Sequence, residues 1–168
     1  YKVTFLDEGG AELQSSSWDY GATPVYSGNT PTKSGDKRYT YTFNDWDKTI
    51  GPVTGDTTYT AKYQSVTNQY TVSFVDSNGQ VLQASTYDYG TMPSYTGTVT
   101  PSKAKTAEFS YAFNTWSPAL STVIGDVTYT ASFTSSVNTY TVRFLNEDGT
   151  ELSKQTLPYG TEVTYQGT

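Results

Sequence analysis

Any chemistry in this chain would rest on carboxylates, lysines and phenols, because its 168 residues include no histidine and no cysteine. That absence removes Ser/His and Cys/His nucleophile systems, most zinc sites, thiol redox chemistry and disulfides. Asp45 and Asp47, flanking Trp46, form the acid pair that could do proton transfer without histidine. Seventy residues on, those positions hold Thr115 and Ser117, so the pair is not kept. Gly55-Asp56 and Gly125-Asp126 each place an acid just before a strand-like run, where a turn is the better reading than a metal ligand. Asp76-Ser-Asn-Gly79 resembles a calcium loop only superficially, since it lacks the alternating oxygen ligands and the terminal glutamate. Lys33 and Lys103 are the lysines found at matching positions, and an internal Lys–Asn crosslink would need one of them buried beside an asparagine and an acid. Both fall in a polar, proline-rich loop. No catalytic residue, metal or cofactor is expected.

Aromatic side chains offer the other chemistry, stacking on sugars. Trp46 and Trp116 each have a hydrophobic residue four positions on, Ile50 and Leu120, and Trp18 has Tyr87 and Leu157 at its equivalent positions. A ligand-platform reading therefore falls on Trp18, Trp46, Tyr87 and Trp116. Packing is the reading the pattern favours. Trp46 and Trp116 close an alternating strand at one repeat position, and a site that accepts Trp, Tyr and Leu behaves as an apolar contact.

The elements that position these residues recur. Tyr1-Lys-Val-Thr-Phe5 returns as Tyr70-Thr-Val-Ser-Phe74 and as Tyr140-Thr-Val-Arg-Phe144, offsets of 69 and 70 residues. The same register relates Gly10, Tyr20 and Tyr26 to Gly79, Tyr89 and Tyr95, and then to Gly149, Tyr159 and Tyr165. Three units follow: 1–69, 70–139 and a partial unit, 140–168. Within each, apolar residues alternate with Thr and Ser, as in Tyr39-Thr-Tyr-Thr-Phe43 and Tyr59-Thr-Ala-Lys-Tyr63, which is the period of a half-buried strand. The 31 threonines suit the polar faces of such strands.

Asp76–Gly79 and Asn146–Gly149 are hairpin turns by composition. Pro24, Gly28, Pro31 and Gly35 forbid an ordinary helix over 23–38, leaving a short extended piece near Val25–Tyr26. Ser117-Pro-Ala-Leu120 has the composition of a single helical turn. Gln64–Gln69 and Thr134–Thr139 read as short linkers without Pro or Gly, which implies limited bending between units. A lone hairpin is marginal in water, so residues 140–168 must pack on the second unit or on a neighbour, unless the structural unit is permuted relative to the sequence period.

Leu, Ile, Val and Phe number only 29, yet the net charge is −6, too small to force disorder, and 16 Tyr, 7 Phe and 3 Trp supply the apolar area. Ten scattered basic residues give no stripe for a phosphate backbone, so nucleic acid is not an expected partner. No apolar run approaches a membrane span, and the opening residues do not form a signal peptide.

Taken in order, Tyr-Thr-Val-x-Phe, Asp/Asn-x-x-Gly, Tyr-Gly-Thr-x-Pro-x-Tyr-x-Gly, Thr-Pro-x-Lys, Tyr-x-Phe-x-x-Trp and Gly-Asp-x-Thr-Tyr-Thr-Ala-x-Phe resemble the Listeria–Bacteroides repeat family, the internalin B-type B repeats. The likeness covers both full units and the third hairpin, which departs from it at Val163 and stops before the Trp strand. It implies a mainly β fold of tandem, small, β-grasp-like (ubiquitin-like) repeats with little helix. It also implies an extracellular place on a Gram-positive cell surface, attached to the wall through regions outside this fragment, and no transferred catalytic residues. Two functions fit: a non-catalytic stalk that presents other domains, with neighbouring repeats as partners, or a weak multivalent adhesin for host glycan or a surface protein.

Overall fold

In the computed structural model, which describes residues 1–165 and 167, the alternation becomes strands, and no helix occurs among the described residues. The contacts divide the chain into two units, Tyr1–Tyr70 with Asp88–Thr91, and Thr71–Tyr87 with Met92–Thr168.

In the first unit, β1 (Lys2–Leu6) turns back into β2 (Glu12–Ser17), with Val3 and Phe5 fully buried and their neighbours outward. The turn needs a residue at positive φ, and Gly10 supplies it at 89° without the clash a Cβ would bring. β3 (Tyr39–Trp46) and β4 (Thr57–Thr67) form the other half. The sheet order is β2-β1-β4-β3. β1 and β4 run parallel, Val3 opposite Thr57 and Phe5 opposite Tyr59, so their apolar faces coincide. β3 and β4 are antiparallel, with an irregularity between Phe43 and Asp45 that brings Trp46 opposite Ala61 on the core face. The second unit repeats this as β5 (Gln69–Val75), β6 (Val81–Asp88), β7 (Phe109–Ser117) and β8 (Val127–Val137), in the order β6-β5-β8-β7. It also contains the two-stranded sheet of β9 (Thr139–Leu145) and β10 (Glu151–Pro158).

Parallel neighbours require a long crossover, and here it contains no helix. Residues 19–38 cross the sheet as irregular chain whose Pro24 is fully buried, as is Pro93 at the same place in the second unit. These prolines lack the N–H that would need a partner in the core. The crossover's polar backbone is satisfied piecemeal: Gly21 N–H donates to Val53 O at 2.8 Å and Val53 N–H to Ala22 O at 2.9 Å. Around Val25–Tyr26 there is no paired strand. The side-chain amide of Gln14 substitutes for one, donating to Val25 O at 3.0 Å and accepting from Ser27 N–H at 2.8 Å.

Two expectations fail. The segments read as linkers, Gln64–Gln69 and Thr134–Thr139, are the ends of β4 and β8, 11-residue strands whose outer halves pair with β3 and β7, followed by Asn68 and Asn138 and the first residues of β5 and β9. Their Thr/Ser/Gln composition reflects exposure on both faces, not lack of structure. The helical turn at Ser117–Leu120 is absent because Ser117 is still paired, opposite Thr130, and the chain beyond it is irregular.

Each core is a ring cluster. Phe5 stacks on Tyr59 with centroids 5.2 Å apart and meets Trp46 edge-on at 4.7 Å. Phe74 does the same with Tyr129 at 5.4 Å and Trp116 at 4.8 Å. Ring pairs of this kind contribute about 0.5–1.5 kcal/mol beyond their buried area. That offsets the shortage of aliphatic side chains.

Candidate functional site

A hollow of about 430 Å³ lies where the first hairpin turn meets the crossover, lined by Asp7, Glu8, Gly9, Thr32, Lys33, Ser34 and Tyr63. Its ionisable groups are already engaged. Asp7 Oδ1 accepts from Ala11 N–H at 2.8 Å, and Lys33 Nζ reaches Glu8 Oε2 at 2.5 Å. The hydrogen bond that Lys33 donates to the Glu8 carboxylate raises the Lys33 pKa, against the opposing effect of desolvation. Burial, with help from the Asp7 and Glu8 charges, pushes the Tyr63 phenol up, and its O–H donates to Thr32 O at 3.2 Å. The Lys33–Glu8 pair pins the crossover to the turn, and the Tyr63 phenol pins it to β4. The position 69 residues after Glu8 is Ser77, so the ion pair belongs to one unit. What both units keep is the lysine over a ring: Lys33 Nζ is 4.2 Å from the centroid of Tyr41, and Lys103 Nζ is 4.3 Å from that of Tyr111. With 34% of its side chain exposed, Lys33 is not the buried lysine a crosslink needs.

Trp116 is 8% exposed and Trp46 half-buried against Phe5, Tyr26 and Phe43. Trp18 packs on the same core and donates its indole N–H to Ser16 Oγ at 2.8 Å, while Tyr87 donates its O–H to Ser94 O at 3.0 Å. The four are not gathered into one site: two serve each unit's own sheet. Half-exposed rings do form a row on the outer half of each long hairpin. Tyr39, Tyr41, Phe43 and Tyr63 carry it in the first unit, and Phe109, Tyr111, Phe113 and Phe133 in the second.

The constellation kept most completely is a clasp on one asparagine. Asn138 alone separates β8 from β9. Its backbone N–H donates to Glu108 O at 2.8 Å, its carbonyl accepts from Tyr159 N–H at 2.8 Å, and its Nδ2 donates to Thr106 O at 2.8 Å and Ala107 O at 3.0 Å. Ser110 Oγ donates to its Oδ1 at 2.5 Å. Beside it, Tyr140 donates its O–H to Ala107 O at 2.7 Å and lies 6.4 Å from the Tyr159 ring. The first unit has the same set: Asn68 bonds Arg38 O, Tyr89 N–H, Asp36 O and Thr40 Oγ1, and Tyr70 donates to Lys37 O at 2.6 Å. Carbonyls, not side chains, take most of these bonds, which is why Asp36 and Lys37 can become Thr106 and Ala107 without loss.

No family model matches the chain, and no curated protein matches it. Among solved structures, domains 3–4 of the Streptococcal High Identity Repeats in Tandem (SHIRT) of a cell surface protein are similar, at 16% identity and a TM-score of 0.37, over 82% of this chain and 99% of that one.

Sequence reasoning missed three sets of side chains: the clasp asparagines, the crossover-binding glutamines and the register aspartates. Asp56 Oδ1 accepts from Lys2 N–H at 2.8 Å, and Asp126 Oδ1 from Thr71 N–H at 2.7 Å, so the expected turns also fix where the parallel strand begins. Gln83 holds Thr96 N–H at 2.8 Å as Gln14 holds Ser27. In the third hairpin Gln155, two places further along the strand, reaches Thr164 O at 3.0 Å. The usable signal was position: Asn68 and Asn138 stand 70 residues apart, the spacing of the motifs themselves.

Proposed function

We propose that this chain is a non-catalytic tandem repeat region of a bacterial cell-surface protein, a stalk or spacer that presents other domains beyond the wall. The observation that carries the reading is the Asn138 clasp, which ties the start of one repeat's hairpin to the loop of the repeat before it and puts a single residue where a flexible tether would otherwise stand. Hydrogen bonds to successive carbonyls resist bending in a way that a Gly/Ser tether does not. In this reading the units are β-grasp-like: the strand order β2-β1-β4-β3 with its parallel central pair suits that fold, a proline-rich crossover standing in for the helix. The Listeria–Bacteroides resemblance of the sequence points the same way.

The test is made in the parent protein. Replacing this region with an unrelated folded array of equal length should leave capture by the neighbouring domain intact, and shortening it by one repeat should reduce capture at a crowded surface. Loss of capture with the equal-length replacement would overturn the spacer reading.

The half-exposed ring rows favour a second reading, a weak adhesive module for host glycan or protein that gains strength from several copies. It predicts that a multi-repeat chain binds a glycan array or a host surface protein and that Tyr41→Ser with Tyr111→Ser abolishes this. Silence of the multi-repeat chain on both would remove it.

A further inference from the structure

The turn between β5 and β6, Asp76-Ser-Asn-Gly79, carries a reactive pair. Asn78 is the one asparagine that precedes a glycine; the others precede Thr30, Asp45, Gln69, Thr115, Thr139 and Glu147. An asparagine side chain is open to attack by the backbone nitrogen of the next residue, and that nitrogen is most approachable where the next residue has no Cβ. The first and third hairpins have Gly9-Gly10 and Asp148-Gly149 at the same place.

The fold presents this pair to solvent. Asn78 and Gly79 are both exposed at the tip of the turn, and a Cβ built on Gly79 would meet nothing within 4 Å. The Asn78 side-chain amide has no hydrogen bond among the described residues, whereas those of Asn68 and Asn138 are held in their clasps. The backbone is more firmly placed. Gly79 N–H donates to Asp76 O at 3.1 Å, and Asp76 Oδ1 accepts from Asn78 N–H at 2.8 Å and from Gln80 N–H at 2.9 Å. Reaction therefore waits for the turn to open, and an exposed loop tip opens at little cost.

We propose that Asn78-Gly79 is a site of spontaneous deamidation that changes the second unit's hairpin with time. The Gly79 amide nitrogen, its proton lost to hydroxide or a buffer base, forms a bond to Asn78 Cγ; the Cγ–Nδ2 bond breaks, ammonia leaves, and a five-membered cyclic imide remains. Water opens the imide at Cγ to give aspartate, or at the backbone carbonyl of residue 78 to give isoaspartate. Either product adds one negative charge. The turn has a precedent for aspartate, since Asp148 at the matching position accepts from Thr150 N–H at 2.9 Å. Here, however, the new carboxylate stands two residues from Asp76 and competes with it for Gln80 N–H, so the two repel. Isoaspartate lengthens the backbone by one atom between the Asp76 cap and β6, and the turn cannot keep its hydrogen bonds. The other hairpins do not share this fate. The first has no asparagine there, and in the third the hydrogen bonds from Thr150 hold the Asp148 carboxyl below its ordinary range, as a carboxylate that resists attack. The inference does not depend on the spacer reading.

The experiment holds the full chain in warm, mildly alkaline buffer for weeks. Peptide mass spectrometry locates each gain of one mass unit, and an isoaspartate-specific methyltransferase reports the rearranged product. Conversion is expected at Asn78 ahead of every other asparagine, faster as pH rises, and within about tenfold of its rate in the urea-unfolded chain. In converted protein the amides of Gln80 and Val81 should exchange faster while those of Val72 and Phe74 keep their protection. Asn78→Gln, whose longer side chain must close a six-membered ring, should stay unconverted, and Asp76→Ala, which frees the turn, should convert faster than the unsubstituted chain. The proposal is overturned if Asn78 stays intact while the unfolded chain converts, if another asparagine in the folded chain converts as fast, if Asn78→Gln gains mass at that position at the same rate, or if Asp76→Ala converts no faster.

Discussion

Replacing Asn138 with alanine removes three side-chain hydrogen bonds at once: those to Thr106 O and Ala107 O, and that from Ser110 Oγ. At a net ~0.5–1.5 kcal/mol each, their sum is ~1.5–4.5 kcal/mol. The site is only half-buried, and water can reach the freed carbonyls, while Tyr140 continues to donate to Ala107 O. The lower end therefore applies, about 1–2 kcal/mol. That energy belongs to the attachment of β9–β10 and not to the sheet of β5–β8, whose ring cluster the substitution does not touch. Native-state hydrogen exchange separates the two. Amides of β9 should exchange about 5–30 times faster, the equivalent of 1–2 kcal/mol, while those of β5 and the inner half of β8 keep their protection. Unchanged exchange in β9 would refute the clasp, and an equal loss throughout the second unit would show that Asn138 supports the fold generally.

Gln83→Ala removes the amide that holds Thr96 N–H, so the crossover near Ser94–Thr96 should open locally, at a cost of about 1 kcal/mol read by hydrogen exchange. Asp126→Ala withdraws the acceptor from Thr71 N–H and should lower the stability of the second unit by about 1–3 kcal/mol in urea unfolding, with Asp126→Asn recovering part of it. Tyr63 and Lys33 both have pKa values raised above their ordinary 10.0 and 10.5, so the folded state holds protons that the unfolded chain releases. The stability this contributes is full below pH 10 and is lost as pH rises through the folded values. Alkaline titration of thermal stability should show a shallower fall in Tyr63→Phe, and Phe133 at that position spares the second unit this contribution.

The strands were readable because their signal is local. Alternation in Tyr39–Phe43 or Tyr70–Phe74 reports which residues face the core regardless of what lies opposite, and the hairpin turns carry their own glycine. The proline-rich crossover misled for the opposite reason. Pro24 and Pro93 look like loop residues, yet they are fully buried, and a ring without an N–H brings irregular backbone out of water with one less donor to satisfy. Side chains that bond distant backbone were invisible to periodicity: Asp126 reaches 55 residues back and Asn138 reaches 32. Only the repeat marked them. Polar residues kept at a 70-residue spacing through strands of otherwise interchangeable Thr and Ser were the sign that a specific bond was being preserved.

The account rests on rings that hold sheets together, and Trp116→Ala tests that most directly. Trp116 is 8% exposed and within 4.8–5.3 Å of Phe74, Tyr95 and Phe113 by ring centroids, so its loss should lower the stability of the second unit by about 3–5 kcal/mol in urea unfolding followed on β5 and β8 amides. The first unit, with Trp18 and Trp46 as its own fluorescence probes, should unfold as before. A second unit that keeps its stability without the indole, while the chain loses a glycan or protein ligand that the unsubstituted chain captures, would contradict the account.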